Sequence, residues 1–423
     1  MKVTAIFGPP GTGKTTELLK RAAGKEAVFL SFTKAAALEA RSRIADGSGV
    51  VASTIHSLVF KHLGLTRAQI VDRKKLMEFG KETGIPFKGD EDNSDELQEG
   101  DEYASVLSYA NNHQTPVVTA YSHFGCPGTL NGFMNFVKSY QNWKYTFGYI
   151  DFDDMLVTYL GREYKLEQTD VFLDEAQDCS PLQWRVFKQM LRPDARVVIA
   201  GDDDQAIYEW NGADPHGMIN FTELHDGQVE ILGRSHRVPR IVHDMAHEVA
   251  LSNITKRVKK VFFPRDGGGS VTNYGDFHNI DLQAINGKGG AMILARDRWR
   301  LEEIKRTLNR DMIPYSVLGG TSPWTSRIAK ELRDGTFGGW NGKNIQWRDF
   351  FSQANLRAPI NFTLSTIHQA KGREHNRVIL DLNLPMRTLA AMYQDRDAEL
   401  RVLYVGLTRT SDELLLCGSN PLL

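Results

Sequence analysis

The residues best suited to chemistry lie near the start of the chain, in the stretch Gly8-Pro-Pro-Gly-Thr-Gly-Lys-Thr15. Glycines allow a backbone to turn tightly and to approach a ligand, so that peptide N–H groups point at phosphate oxygens. The spacing fits G-x-x-x-x-G-K-[ST], in which the lysine reaches the outer phosphates and the hydroxyl binds Mg²⁺. The predicted nucleoside triphosphate loop consists of Gly8, Pro9, Pro10, Gly11, Thr12, Gly13, Lys14, Thr15 and Thr16.

This loop stands between two elements that would hold it in place. The apolar run from Val3 to Phe7 precedes it and is typical of a buried strand, while Thr15 to Lys20 begins an expected helix. The positive end of that helix dipole would favour phosphate at the loop. A glycine-rich turn that binds nothing is the alternative interpretation, and the order of strand, loop and helix argues against it.

Further polar groups follow apolar runs that predict strands of the same sheet. Asp174 and Glu175 follow residues 171–173, where ATPases hold Mg²⁺ with an aspartate and activate water with a glutamate. Such a pair is common in proteins without this site, but the phosphate loop upstream favours the functional interpretation. Gln205 follows the apolar run 196–200 and is placed to contact both the γ-phosphate and the attacking water.

Two aromatic residues, Tyr208 and Trp210, follow Gln205 on an irregular polar segment. Exposed aromatic rings stack on nucleic-acid bases, at about 1–3 kcal/mol per base, without reading the sequence. The same two rings could instead pack between domains. Both interpretations stay open when these residues are considered alone.

Composition limits the class of protein. The 423 residues predict two or three domains, and 41% hydrophobic with 24% charged residues is ordinary for a globular protein. No apolar run reaches the roughly 18 residues of a membrane span, and no signal peptide is expected. The three widely spaced cysteines favour a reducing cytoplasm over a disulfide framework or a zinc site. With a net charge of −1, any nucleic-acid site must be a local groove.

Strands and helices alternate over residues 1–60 and 147–230, which predicts one α/β domain with a parallel sheet. Residues 61–146 break that alternation and are predicted to form a mainly helical insertion. A second α/β domain is predicted over 231–423, interrupted by a loop-rich segment at 321–361. Its strands are expected at 291–295, 315–318, 363–365, 378–382 and 414–417. The acidic stretch 89–102 is expected to be a solvated loop.

Short segments in this order along the chain resemble the motifs of superfamily 1 helicases of the UvrD/Rep/PcrA group. The resemblance spans residues 6 to 417 and is loose only over 61–140 and 240–361. It rests on the phosphate loop and on Ser31-Phe-Thr-Lys-Ala-Ala-Ala, Ser53-Thr-Ile-His-Ser-Leu, Asp151-Phe-Asp-Asp-Met-Leu, Asp174-Glu-Ala-Gln-Asp178, Gly201 to Ala213, Arg234-Ser-His-Arg237, Thr363 to Gly372 and Leu403 to Arg409.

The resemblance implies two RecA-like parallel-sheet domains, with the helical insertion in the first and an ATP site shared by both. The first domain would contribute Lys14, Thr15, Asp174, Glu175 and Gln205, with Thr15 and Asp174 holding Mg²⁺. The second domain would contribute Arg237 and Arg409 at the γ-phosphate and Glu374 at the nucleotide sugar or phosphates.

For DNA, the resemblance implies hydroxyl and imidazole contacts to phosphates and aromatic contacts to bases. The residues concerned are Phe32, Thr33, Thr54, His56, Tyr208, Trp210, Thr366 and His368. The implied activity is ATP-dependent 3′→5′ movement on single-stranded DNA, with unwinding at junctions between single strands and duplex. The implied cofactors are ATP and Mg²⁺, the implied partners are DNA and replication or repair proteins, and no membrane association is implied.

The chain departs from the family pattern at four points. No glutamine-bearing adenine-recognition segment stands ahead of the first strand, His236 replaces a frequent tyrosine, and Asn211 replaces a usual arginine. Only residues 321–361 stand in place of a large second-domain insertion. The short segment keeps a second function open, a translocase that displaces bound proteins without efficient unwinding. A DNA-binding recruitment module with a vestigial ATPase is the alternative outside the motor class.

Overall fold

The computed structural model of the protein describes residues 1–45, 47–89, 98–124, 128–341, 344–392 and 395–420. The chain divides into two compact units. The first unit contains Met1–Gly233 together with Val258–Val261, and the second contains Arg234–Arg257 and Phe262–Leu423. Each unit is built on its own six-stranded sheet. The predicted α/β fold with two parallel-sheet domains is confirmed.

The sheet of the first unit is parallel throughout. Its strands are β1 (Lys2–Phe7), β2 (Ala27–Ser31), β3 (Val50–Thr54), β4 (Asp170–Asp174), β5 (Arg196–Gly201) and β6 (Gln228–Ile231). They lie in the order β3-β2-β4-β5-β1-β6, and every adjacent pair is parallel. β2 and β4 are buried along their whole length, as expected for central strands covered on both faces.

Ten α-helices belong to the described part of the first unit. They are α1 (Lys14–Ala22), α2 (Lys34–Arg43), α3 (Ile55–His62), α4 (Arg73–Thr83), α5 (Glu99–His113), α6 (Val117–Phe124), α7 (Leu130–Phe147), α8 (Phe152–Leu160), α9 (Pro181–Met190) and α10 (Gly217–Leu224). α4 to α7 form the insertion, and their aromatic side chains make a core of their own. The ring centroids of Phe79 and Trp143, for example, lie 5.3 Å apart. The mainly helical insertion is therefore confirmed.

The acidic stretch predicted to be a loop is partly helical. Glu99, Asp101 and Glu102 form the first turn of α5, where the helix dipole favours negative charge. The expectation of a loop was wrong for these residues because a solvated acidic run and an acidic helix start have the same composition. Residues 90–97 lie outside the described residues.

The carboxyl ends of the first unit's strands meet at one edge of the sheet. In the register of the sheet, Ser31 pairs with both Thr54 and Asp174, and Phe7 pairs with Gly201. The segments that follow these strand ends carry the nucleotide residues predicted for this unit and most of the predicted DNA residues. This is the edge at which ligands bind in open parallel α/β sheets.

The second unit contains a parallel sheet and a separate pair of strands. Its strands are β7 (Arg234–Pro239), β8 (Phe263–Arg265), β9 (Ser270–Asn273), β10 (Ala291–Ala295), β11 (Tyr315–Val317), β12 (Phe362–Thr366), β13 (His375–Asp381) and β14 (Thr410–Cys417). The sheet order is β11-β12-β10-β13-β14-β9, and β7 pairs with β8. The helices are α11 (Arg240–Val249), α12 (Leu282–Gly287), α13 (Arg298–Arg310), α14 (Arg327–Asp334), α15 (Arg348–Gln353), α16 (Met386–Met392) and α17 (Arg396–Leu407).

All five strands expected in the second unit are present, and β7, β8 and β9 are additional. β9 has only four residues, of which three are exposed, so it lacks the apolar run by which a buried strand is predicted. The segment 321–361 contains two short helices, α14 and α15. Ser326 caps α14 by accepting a hydrogen bond from the Ala329 N–H, a signal hidden among the polar residues of this segment.

Among the described residues, no helix is both long enough and apolar enough to cross a membrane. Cys179 and Cys417 are buried free thiols. Cys126, the remaining cysteine of the sequence, lies outside the described residues.

Candidate nucleotide and nucleic-acid sites

The loop between β1 and α1 has the backbone of a phosphate-binding loop. Gly11 and Gly13 adopt positive φ angles of 73° and 83°, in the region that favours glycine. A Cβ atom added at Gly8 would stand 2.6 Å from both Lys14 Cγ and Thr12 Oγ1, so only glycine allows the loop to close this tightly. Lys14 Nζ donates to the Gly8 carbonyl at 2.6 Å, which folds the lysine back over the loop. The loop is thus a cradle with an ammonium group across it.

The candidate magnesium ligands lie side by side. Thr15 Oγ1, in the first turn of α1, donates to Asp174 Oδ2 at the end of β4, and the two atoms are 2.6 Å apart. Burial and the neighbouring Glu175 carboxylate raise the pKa of Asp174 to about 6. A hydroxyl and a buried carboxylate form a set of hard oxygen ligands that fits Mg²⁺. The bound cation would itself favour the ionised carboxylate.

A chain of hydrogen bonds runs from Glu175 towards Gln205. Glu175 has a φ angle of 53°, an uncommon conformation for a residue other than glycine. Gln177 Nε2 donates to Glu175 Oε2 at 2.6 Å, and Gln177 Oε1 accepts the Asp202 N–H at 3.0 Å. Gln205 Nε2 in turn donates to Asp202 Oδ2 at 2.7 Å. The structure therefore brings together the predicted catalytic residues of β4 and β5.

The sequence did not identify the residue in the middle of this chain. Gln177 is fully buried. A Cβ atom added at Gly201 would stand only 2.5 Å from Gln177 Oε1, too close for a normal contact. Gly201 is thus required for Gln177 to reach the end of β5. Gln177 occurs within a motif that was recognised as a whole, and nothing in the sequence distinguishes it from its neighbours.

Arg43 was also missed. Its Nη2 atom donates to Thr16 Oγ1 at 2.5 Å, which brings a guanidinium group from the end of α2 to the phosphate loop. The predicted residue Thr16 is exposed next to the candidate magnesium ligand Thr15.

The predicted base-stacking residues of the first unit lie on the same edge of the sheet. The rings of Phe32, after β2, and Tyr208, after Gln205, are stacked with centroids 5.6 Å apart and planes 29° apart. Trp210 lies in the short 3-10 helix Glu209–Asn211 and is 62% exposed. Trp210 therefore lies outside the core of the first unit.

Two of the predicted phosphate-contacting threonines are helix N-caps. Thr33 Oγ1 accepts the Ala36 N–H at the start of α2, and Thr54 Oγ1 accepts the Ser57 N–H at the start of α3. Thr54 is also buried, so its hydroxyl is committed to the helix. A phosphate near either residue would therefore meet the positive N-terminal end of a helix that begins at the carboxyl edge of the sheet.

His56 lies in the first turn of α3 and is half-buried. Burial, with a contribution from the charge of Lys34, lowers the pKa of His56 to about 4. The imidazole is therefore neutral near pH 7. Its ring packs edge-on against Phe152, which is 52% exposed, with centroids 5.8 Å apart. The sequence singled out Phe152 only as part of a motif, and its exposed ring lies beside the predicted DNA residue His56.

The three nucleotide residues predicted for the second unit are close to one another. Arg237 Nη1, on β7, donates to Glu374 Oε2 at 3.0 Å, just before β13 begins. Arg409, at the end of α17, is almost fully buried. Its Nε atom donates to the Val405 carbonyl at 2.9 Å, and its Nη1 atom donates to the Arg373 carbonyl at 3.4 Å. The two guanidinium groups are thus held by groups of their own unit.

The two DNA residues predicted for the second unit lie apart from this cluster, at the carboxyl end of β12. Thr366 is buried, and its Oγ1 atom accepts the Gln369 N–H at 3.3 Å. His368 is half-buried in the turn that follows. Thr366 therefore shapes the turn that carries His368.

Two protein-family models match this chain, one in the first unit and one in the second. The sequence model of the UvrD/REP helicase N-terminal domain matches residues 2–226, more than half of the chain. The model of the UvrD-like helicase C-terminal domain matches residues 352–420.

Individual relatives are distant. The ATP-dependent DNA helicase PcrA of Bacillus subtilis is 25% identical over 206 residues, which are 43% of this chain and 28% of PcrA. DNA helicase II of Escherichia coli is 24% identical over 205 residues, 43% of this chain and 28% of the relative. YjcD of Bacillus subtilis is 25% identical over 369 residues, 76% of this chain and 48% of YjcD. The chain thus spans less than half the length of these relatives.

Among solved structures, the arterivirus nonstructural protein 10 helicase in complex with DNA aligns with 98% of this chain and 60% of its own. The TM-score is 0.40 and the sequence identity is 14%.

Proposed function

Because the chain belongs to the UvrD/REP helicase family, we propose that it is an ATP-dependent DNA helicase that moves 3′→5′ on single-stranded DNA. The observation that carries the ATPase part is the linked set of groups at one sheet edge. Thr15 and Asp174 lie 2.6 Å apart, and hydrogen bonds connect Glu175 with Gln205 through Gln177 and Asp202.

In the proposed site, Lys14 and the loop N–H groups bind the β- and γ-phosphates of ATP. Thr15 and Asp174 would hold Mg²⁺, which supplies charge neutralisation at those phosphates. Glu175 accepts the proton of the attacking water as general base. Its positive φ angle of 53° and the hydrogen bond from Gln177 fix the direction of the carboxylate.

Gln205 orients the attacking water and senses the γ-phosphate, a role that an amide can fill because it both donates and accepts. Arg237 and Arg409 stabilise the negative charge that develops on the transferred phosphate. To do so each must exchange the partner it has now, Glu374 for Arg237 and the Val405 carbonyl for Arg409. We assign Glu374 to the nucleotide sugar or phosphates.

The proposed DNA track on the first unit combines rings for bases with helix ends for phosphates. Phe32, Tyr208 and Trp210 provide the rings, together with Phe152 beside His56. The N-termini of α2 and α3 provide N–H groups for phosphates. We propose Thr366 and His368 as the corresponding contacts of the second unit. Stacking is independent of base identity, as a motor that moves along any sequence requires.

The proposed domains follow the predicted boundaries. Residues 1–60 and 147–230 form the ATP-binding RecA-like domain, 61–146 form the inserted subdomain, and 231–423 form the second RecA-like domain, except that Val258–Val261 belong to the first unit. We propose ATP and Mg²⁺ as cofactors and junctions of single-stranded and duplex DNA as substrates.

The direct test is strand displacement on two matched substrates. A 25-base-pair duplex with a 3′ single-stranded tail and the same duplex with a 5′ tail are incubated with protein, Mg²⁺ and ATP. We expect release of the labelled strand only from the 3′-tailed duplex and only with a hydrolysable nucleotide. Equal release from both substrates would contradict the polarity, and release without ATP would contradict the motor.

A second candidate function is translocation that displaces bound proteins without efficient unwinding. The supporting observation is the segment 321–361, whose described part contains the two short helices α14 and α15 and two single-turn 3-10 helices, Pro323–Thr325 and Ile345–Trp347. Streptavidin bound to a biotin at the 5′ end of a single strand provides the test. ATP-dependent removal of streptavidin together with no strand displacement would favour this candidate over the helicase.

A further inference from the structure

The turn that carries Gln205 contains three consecutive aspartates that surround one lysine. Lys260 Nζ lies 2.9 Å from Asp202 Oδ1 and 2.9 Å from Asp204 Oδ2, and it also pairs with Asp203. The lysine side chain is 0% exposed. The Val258 N–H donates to Asp203 Oδ2 at 2.7 Å, so backbone and side chain of the same segment bind this turn. Nothing in the sequence indicates this pairing, because 55 or more residues separate the partners.

Electrostatics require a cation at this position. One oxygen from each of the three aspartates lies within 4.8 Å of the others, and all three residues are buried. Buried like charges at such distances repel strongly unless a positive charge lies among them. Burial alone would lower the pKa of Lys260, but the three carboxylates outweigh it and raise that pKa above its ordinary value. The ammonium group is therefore charged and fills the place that a metal ion would take.

Lys260 is bound to the turn through the same carboxylate that holds Gln205. Asp202 Oδ1 pairs with Lys260, and Asp202 Oδ2 accepts the hydrogen bond from Gln205 Nε2 at 2.7 Å. The two contacts fix both oxygens of one carboxylate, so its rotation would disturb both. The orientation of the Gln205 amide therefore depends on Lys260 through Asp202.

Lys260 lies on a short segment of chain that belongs to the first unit. Val258–Val261 belong to the first unit, whereas the residues on both sides of this segment belong to the second. The segment is thus joined covalently to the second unit at both ends.

We propose that Lys260 is a positioning residue for ATP hydrolysis: a buried cation that orients Gln205 through Asp202. This inference rests on the proposed ATPase function. It differs from a purely structural role because its effect must pass through Gln205. Loss of Lys260 should therefore affect the hydrolysis step more than nucleotide binding.

A double-mutant cycle tests the proposal. DNA-stimulated ATP turnover and KM are measured for wild type, Lys260→Gln, Gln205→Ala and the double variant, with Lys259→Ala as the exposed neighbouring control. We expect Lys260→Gln to lower kcat about 10- to 100-fold, with KM for ATP changed by no more than about threefold. In the Gln205→Ala background the same change should lower kcat by no more than about twofold. Lys259→Ala should match the wild type.

Equal losses from Lys260→Gln in both backgrounds, or a variant as fast as the wild type, would overturn the proposal. Should Lys260→Gln not fold, Asp202→Asn takes its place in the cycle, because Lys260 then keeps two carboxylate partners. The same loss of kcat and the same disappearance in the Gln205→Ala background are expected. Absence of ATP hydrolysis by the wild type would overturn the proposed function. An active wild type whose kcat is unchanged in Lys260→Gln would overturn this inference alone.

Discussion

The candidate nucleotide residues of the first unit follow the carboxyl ends of strands, whereas two of the three in the second unit stand at the amino ends of strands. In the first unit the phosphate loop, Asp174 and Gln205 follow β1, β4 and β5. In the second, Glu374 and Arg409 directly precede β13 and β14. The first set is linked mainly within itself, from Glu175 to Gln205. The second set is held by neighbouring backbone carbonyls and by the pair of Arg237 with Glu374.

The two units therefore differ in how many existing hydrogen bonds must break before their side chains can contact a phosphate. The first unit presents a phosphate cradle that requires only local displacement of Lys14 from the Gly8 carbonyl. The second unit must release its arginines from existing partners before they can act on a phosphate. We therefore expect substitution of Lys14 to affect turnover alone, and substitution of a second-unit arginine to affect turnover and stability together.

The largest effect is expected at the phosphate loop. Lys14→Ala should lower ATP turnover by more than about 10³-fold, because no other side chain of the loop carries a positive charge to the outer phosphates. The free energy of unfolding should change by less than about 0.5 kcal/mol, since the side chain is only half-buried. Steady-state hydrolysis and urea unfolding measure both quantities. Lys20→Ala, an exposed lysine on α1, is the control. Turnover that survives Lys14→Ala would exclude this loop as the ATP site.

A smaller effect on turnover, coupled to stability, is expected at Arg409. Arg409→Ala should lower turnover by about 10²–10³-fold. It should also lower the free energy of unfolding by about 1–3 kcal/mol, because it removes the hydrogen bond to Val405 and leaves a cavity. Thermal unfolding and hydrolysis are measured on the same samples. A loss of turnover without any loss of stability would show that the hydrogen bonds of Arg409 within its own unit do not stabilise the fold.

The exposed ring of Trp210 should contribute to DNA binding. Trp210→Ala should weaken affinity for single-stranded DNA by about 1–3 kcal/mol, which is roughly 5- to 150-fold. DNA-stimulated turnover should fall more than turnover without DNA. Trp299→Ala removes a similarly exposed tryptophan of the second unit and serves as the control in fluorescence anisotropy. Equal losses with and without DNA would indicate that Trp210 supports the fold instead.

The smallest effect concerns the stability of the first unit at low pH. His56 has a pKa of about 4 in the folded protein and about 6.5 as the ordinary value, so the unfolded chain binds its proton first as pH falls. Stability should therefore fall between pH 6.5 and pH 4. The full shift corresponds to about 3 kcal/mol, and for a half-buried ring we expect about half of that.

Urea unfolding at pH 7 and at pH 4.5 measures this dependence. His56→Gln should flatten the pH dependence, whereas His247→Gln, at an exposed histidine, should leave it unchanged. A steeper fall in His56→Gln than in the wild type would contradict the assignment of a neutral His56.

Much of the fold and of the first unit's site could be predicted from the sequence because the signals are local. The phosphate loop, Asp174 and Gln205 each follow an apolar strand directly, so residue type and neighbouring pattern suffice. Gln177 could not be predicted, because its importance depends on the approach of Gly201 on a different strand. The role of Lys260 could not be predicted either, because 55 or more residues of sequence separate its segment from the aspartates that it contacts.

Burial was the second property that sequence could not provide. Thr54 was expected to contact phosphate through its hydroxyl, but that hydroxyl caps α3 inside the protein. Arg409 was expected at a phosphate, and its guanidinium lies against backbone carbonyls of its own unit. In both cases the motif identifies the residue, while packing decides which of its groups a ligand can reach.

The most direct test of the proposed DNA-dependent ATPase is ATP hydrolysis by the wild type and by Glu175→Gln, each with and without single-stranded DNA. Glu163→Gln, at an exposed position of the first unit, is the control. We expect strong stimulation of the wild type by DNA and a loss of about 10²-fold or more in Glu175→Gln, with nucleotide binding retained. Undiminished hydrolysis by Glu175→Gln, or wild-type hydrolysis that is indifferent to DNA, would contradict it.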